Sequence, residues 1–203
     1  GMTPDDVPPD AVASSFELDE AQRACIAAWL SSAIGINYVT VSGGKTVMFC
    51  AAAALIKKRY PDARFLYFTQ TERLVNQVFS EAKKFLPDWE ITQYGGGKKD
   101  PTGADLVVAT GSMLGRNFKQ LEKDGWFKTF MAVLVDEAHH ASSPTWTRIL
   151  ESVPAFFRLG ASDTRKEDDL VAWNRIRGLI GPRLEEVKMG DLIEQGRVAK
   201  PFI

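Results

Sequence analysis

With 203 residues, 45% of them apolar, and a formal charge of −1, the chain can bury a core of ordinary size as one large domain or two small ones. The near-neutral balance argues against a dedicated DNA-binding module, so any nucleic-acid contact has to come from a local patch on one face. No apolar run approaches the roughly 20 residues that span a bilayer, and the acidic, Pro-rich N-terminus is unlike a signal peptide. Cys25 and Cys50 both lie among apolar residues in helix-like patterns, which suits buried thiols in a reducing compartment and predicts a cytoplasmic protein.

Residues 1–13 combine prolines with Asp5, Asp6 and Asp10, a composition that predicts a flexible acidic arm. From Leu18 to Leu30, apolar residues recur at helical spacing, with Ser14 or Ser15 available near the start. Gln22 shares the apolar face and is either a satisfied amide at the edge of the core or a ligand-reading one. Asn37 to Val41 is β-rich, Ser42-Gly43-Gly44-Lys45-Thr46 follows, and Val47 to Tyr60 is an Ala-rich helix ending in Lys57, Lys58 and Arg59. Strand, glycine loop, Lys-Thr, helix is a phosphate-binding arrangement. Backbone N–H groups face the phosphates, Lys45 reaches the terminal ones, and the Thr46 hydroxyl suits Mg²⁺.

A second strand, Arg64 to Phe68, precedes a helix marked by Leu74, Val75, Val78, Phe79, Ala82 and Leu86. Between them, Thr69-Gln70-Thr71-Glu72-Arg73 either contacts a sugar-phosphate backbone or caps the helix. Glu90 to Tyr94 is a short strand before the basic turn Gly95-Gly96-Gly97-Lys98-Lys99, and Ala104 to Ala109 is another, ending at Thr110-Gly111-Ser112. Met113 to Phe130 reads as a helix broken at Gly125. Met131 to Val135 is an apolar run closed by Asp136 and Glu137, as expected of a buried parallel strand delivering carboxylates to the ligand crevice at a sheet rim. A helix starting near Pro144 and a strand from Ala155 to Gly160 follow. Residues 166–182 read as a loop and a helix ending at Gly181-Pro182, Met189 to Gly196 as a short helix, and Val198 to Ile203 begins a further element. At least five successive β-then-α units predict an α/β, mostly parallel, doubly wound sheet in three layers.

Phosphate loop and Asp-Glu strand have complementary tasks in a nucleotide hydrolase. Lys45 and Thr46 hold phosphates and metal, Asp136 holds the metal, and Glu137 orients or deprotonates the attacking water. The ordered set from about Ser14 to Ile203 resembles the first RecA-like domain of superfamily 2 helicases and translocases, in the DEAH-type branch near phage and restriction-enzyme translocases. That resemblance implies ATP and Mg²⁺ as cofactors, and nucleic acid, DNA ahead of RNA, as partner. Gln22 matches the family's adenine-recognising glutamine, Ser42 to Thr46 its phosphate loop, and Asp136-Glu137-Ala138-His139 its Asp-Glu-Ala-His box, making Lys45, Glu137 and His139 the catalytic set. Thr69, Gln70, Arg73, Thr110 and Gly111 fall where the family contacts nucleic acid. Ser162 and Thr164 fall on its coupling element, with His139 as partner, and Leu192 to Arg197 resemble the segment leading to a C-terminal RecA-like domain.

Three departures stand out. Ser42 occupies a loop position where the family usually has glycine, at a cost on the order of 1–2 kcal/mol if φ there is positive. Asp163 replaces the alanine of the coupling element, and the proline expected after that element is missing. The chain also lacks a second RecA-like domain, which in the family supplies an arginine finger worth about 10³ to 10⁵ in turnover, so the isolated chain is expected to hydrolyse ATP barely if at all. A competing reading, prompted by Ser42 and Asp163, is a nucleic-acid-binding or scaffold domain with a degenerate nucleotide site.

Overall fold

A computed structural model describes residues 1–13, 16–40, 43–94, 103–164 and 167–187. Seven strands form one sheet: β1 (Ile34–Val39), β2 (Phe65–Thr69), β3 (Ile91–Tyr94), β4 (Leu106–Thr110), β5 (Ala132–Asp136), β6 (Phe157–Ser162) and β7 (Arg183–Val187). Their order is β3-β4-β2-β5-β6-β1-β7, and every pairing is parallel. The central strands β2, β4 and β5 are buried along their whole length, which explains why they read as unbroken apolar runs rather than alternating ones.

Helices cover both faces. α1 (Glu20–Ser32), α2 (Lys45–Arg59) and α3 (Glu72–Phe85) build one core with the sheet. α4 (Gly111–Arg116), α5 (Phe118–Lys123), α6 (Pro144–Ser152) and α7 (Leu170–Ile180) build the other, so the molecule has the three layers that the sequence predicts. The long helix-and-connection read from Met113 to Phe130 resolves into two short helices and a 3-10 turn at Trp126–Thr129. Gly125, with φ +70°, makes the break before that turn.

Two features depart from expectation. Residues 1–13 are packed against the domain rather than lying as a loose arm: Val7 and Val12 are buried in the α1–α2–α3 core, and the Ala13 N–H donates to Phe85 O at 2.9 Å. Arg23 holds the segment from the other side, donating to Pro4 O and facing Asp5 at 3.7 Å. Two well-spaced valines suffice for this, whereas average composition registers only the prolines and acids. The other departure is β7, which charged Glu185 and Glu186 conceal. As an edge strand it needs apolar residues on one side only. Asn37 secures it: its amide donates to Cys25 O and accepts the Glu185 N–H, where the register between β1 and β7 shifts.

Candidate nucleotide site

α1 starts one turn before Gln22. Asp19 caps it, accepting the Gln22 N–H at 2.8 Å, while the Gln22 side chain accepts the Asp19 N–H at 3.1 Å. Ser14 and Ser15, expected near this start, lie outside the described residues. Gln22 is fully buried, and its Nε2 donates to Gly43 O at 3.0 Å. The amide therefore ties the first turn of α1 to the glycine loop and turns inward, unlike a side chain presented to an adenine ring. Gly44 caps α2 in the left-handed region at φ +80°, and a Cβ there would meet Gln22 Nε2 at 2.4 Å. Backbone angle and crowding both demand glycine at this position. Ser42 lies outside the described residues.

At the head of α2, Lys45 Nζ donates to Glu137 Oε1 at 2.5 Å and lies 3.7 Å from Asp136 Oδ1. β5 delivers Asp136, which is 6% exposed, and the chain then turns through Glu137 at φ +53°, a conformation strained for any residue but glycine. That turn aims the Glu137 carboxylate back at Lys45. Asp136 Oδ1 accepts the Glu137 N–H at 3.0 Å and Oδ2 faces the Tyr67 hydroxyl at 3.4 Å. Burial pushes both acids above their ordinary values, and Lys45 offsets this only in part. Burial works against the Lys45 ammonium, but the charge of Asp136 and the hydrogen bond to Glu137 outweigh it and hold the ammonium above its usual range. One cation shared between two anions leaves a buried excess of negative charge.

Beyond the box, His139 Nδ1 and Ser162 Oγ are 2.9 Å apart, so the structure brings together the pair expected of the coupling element. Ser162 Oγ also bridges to the backbone of Thr164 in both directions. Thr164 Oγ1 donates to Asp163, whose carboxyl lies below its ordinary value: burial raises it, but that hydrogen bond and the charge of Lys45 prevail. Asp163 stands close enough to Glu137 and His139 that ligand atoms of all three lie within 4.8 Å of one another. Arg165, a sequence-level partner for Asp163, lies outside the described residues.

A cavity of about 530 Å³ opens beside the loop, lined by Gly44 to Val47, Asp136, Glu137, Phe16 and the inner face of α3. Thr46, Asp136 and Glu137 offer oxygen donors alone, the set a hard cation such as Mg²⁺ prefers, and Glu137 Oε2 is a buried oxygen with no hydrogen-bond partner. The donors present thus fit a divalent cation.

The expected nucleic-acid residues divide. Gln70 and Arg73 are exposed, while Thr69, Thr110 and Gly111 are buried. Thr110 caps α4 through the Met113 N–H, and a Cβ on Gly111 would meet Trp146 Nε1 at 2.4 Å, so packing accounts for both residues. Thr71 caps α3, the alternative held open for that loop. The Gly95–Lys99 turn and the segment from Leu192 to Arg197 lie outside the described residues. Tyr67 and Trp146 escaped the sequence reading. Trp146 packs on Phe68 and faces His140, with ring centroids 4.2 and 5.7 Å away. The one available signal for Tyr67 was a hydroxyl inside an otherwise apolar strand.

Residues 15–167 match the family model described as the type III restriction enzyme, res subunit. The chain belongs to this family. With the motifs and sheet above, that makes it the N-terminal RecA-like domain of a superfamily 2 helicase. Among curated relatives it is 28% identical over 177 residues to the general transcription and DNA repair factor IIH helicase/translocase subunit XPB of Danio rerio, covering 82% of this chain and 22% of that protein. It is 24% identical over 165 residues to the DNA 3'-5' translocase XPB2 of Sulfurisphaera tokodaii, covering 81% and 35%. Solved structures of similar fold include the Sulfolobus solfataricus SWI2/SNF2 ATPase core in complex with dsDNA, with TM-score 0.71, 17% identity and coverage of 85% and 37%. The UvsW helicase of bacteriophage T4 matches with TM-score 0.68, 18% identity and coverage of 86% and 63%. The chain spans about a fifth to a third of the length of these curated relatives. No helix among the described residues is long and apolar enough to cross a membrane.

Proposed function

We propose that this chain is the ATP-binding motor domain of an ATP-dependent DNA helicase or translocase, completed by a second RecA-like domain in the whole protein. The observation that carries the reading is Lys45, held between Asp136 and Glu137 at the mouth of a cavity large enough for a nucleotide. A lysine so placed is a cation waiting for a stronger anion. Turning to the terminal phosphates of ATP, it releases Glu137, whose carboxylate then orients or deprotonates the attacking water. Mg²⁺, when bound, neutralises charge on the β- and γ-phosphates, with Thr46 and Asp136 as its protein ligands. Gln22 acts through the loop: by holding Gly43 and filling the space beside Gly44, it fixes the backbone that faces the phosphates. His139, Ser162 and Thr164 relay the state of the site to the strand, and Gln70 and Arg73 contact it. DNA is favoured over RNA because the relatives' names and the SWI2/SNF2 complex refer to DNA.

Hydrolysis by the 203-residue chain alone is slow, because Lys45 is the one cation seen facing both carboxylates and an arginine finger has to come from elsewhere. A reducing, cytoplasmic setting is consistent with the two buried free cysteines, whose thiols burial pushes up, Cys25 to about 12. Titration with a fluorescent ATP analogue and Mg²⁺ tests the proposal. Binding should be weakened at least about tenfold by Lys45→Ala, through loss of a charge-assisted contact of about 1.5–3 kcal/mol. Equal affinity of the two proteins overturns the motor reading and favours a scaffold whose nucleotide site has decayed.

A further inference from the structure

We propose that the phenol of Tyr67 positions both oxygen ligands of the divalent cation, an inference that rests on the nucleotide and metal reading of this site. Tyr67 lies in β2 between Leu66 and Phe68 and has no exposed surface. A phenylalanine would fill nearly the same volume, and a hydroxyl taken into an apolar core is costly unless it is bonded there. Its hydroxyl reaches Asp136 Oδ2 at 3.4 Å, and the Thr46 side chain also meets it. The ring itself is immobilised. It stands edge-on to Phe49, with centroids 5.3 Å apart, and Phe49 stacks on Trp29 at 4.8 Å. Trp29 is anchored in turn by its Nε1, which donates to Gly35 O. This column crosses α1, α2 and β2 and ends beneath the site.

The direction of the hydrogen bonds follows from counting protons. An ionised Asp136 can only accept, so the single phenol proton goes to its Oδ2, while Oδ1 takes the Glu137 N–H. The phenol oxygen is then an acceptor toward Thr46, and the Thr46 hydroxyl donates to it. A hydroxyl that has given its proton inward turns its lone pairs outward, the orientation that a metal-ligating threonine requires. One buried phenol thereby orients the carboxylate and the hydroxyl together. Neighbours that hold metal ligands in this manner are worth about 10- to 100-fold in metal affinity.

The test uses the 203-residue chain and a fluorescent ATP analogue, with Mg²⁺ titrated from an EDTA baseline. Tyr67→Phe should raise the Mg²⁺ concentration at half-effect about tenfold, leave binding in EDTA unchanged, and keep thermal unfolding close to that of the parent. Thr46→Ala serves as reference. Because the phenol acts partly through Thr46, the double variant should shift less than the sum of the single shifts. A parental Mg²⁺ response in Tyr67→Phe while Thr46→Ala is shifted, or full additivity in the double variant, overturns the proposal. Nucleotide binding by the parent chain that Mg²⁺ does not strengthen removes the metal reading itself. That result appears before any variant is made, so the two failures are distinguishable.

Discussion

Asp136 is the residue at which stability and function oppose each other. It is nearly buried beside a second carboxylate, and the single Lys45 ammonium neutralises only one of the two charges. Its carboxyl is raised above the ordinary range, so the folded state binds this proton more tightly than the unfolded chain does. The contribution to stability is therefore full at low pH and is lost as pH rises through the ordinary range to the raised folded value. Lys45, also raised, adds stability that is lost only as pH climbs through its own alkaline range. At pH 7 the ionised Asp136 is thus a net cost. Asp136→Asn should melt at a higher temperature than the parent, by about 2–4 °C for each kcal/mol relieved. The gap should close as pH falls through the carboxylate range, and a variant that melts lower at pH 7 would contradict this account. Of the site, Lys45, Thr46, Asp136 and Glu137 were legible as motif residues. Tyr67 was not, since its part depends on where β2 lies against β5.

Elements differ in how far their residues announce them. β2, β4 and β5 are bounded apolar runs, and α3 shows an apolar stripe, because each depends on its own residues facing a core. The N-terminal segment does not declare itself in this way. Val7 and Val12 are two apolar residues among prolines and acids, and they bury themselves because α1, α2 and α3 together leave a surface to cover. This makes residues 1–13 part of the fold. Replacing both valines with alanine removes about four buried methylene equivalents, on the order of 3 kcal/mol. A lower melting temperature by roughly 6–12 °C is the expected outcome of thermal unfolding. An unchanged value would show that the segment lies on the core without supporting it.

For the molecule as a whole, a charge of −1 places any attraction for nucleic acid in a small region. Gln70 and Arg73 are exposed at the β2–α3 turn, on the same sheet rim that carries Asp136. Arg73→Ala should weaken single-stranded DNA binding and lower the slope of log affinity against log salt by about 0.7–1, and an identical slope would exclude Arg73 from the contact. The rim itself is a consequence of topology: with every strand parallel, all the carboxyl ends meet along one edge, and the phosphate loop, the acid pair and Ser162 arrive there from β1, β5 and β6. Local pattern determined the α/β class, the strand-loop-helix at Lys45 and the acidic end of β5, because periodicity and glycine placement act over a few residues. Tertiary structure alone decided that Gln22 turns inward to hold Gly43, that Thr69, Thr110 and Gly111 are buried, and that Tyr67 lies under Thr46 and Asp136. Each of these is a contact between segments far apart in the chain, set by strand order and helix packing rather than by neighbouring residues.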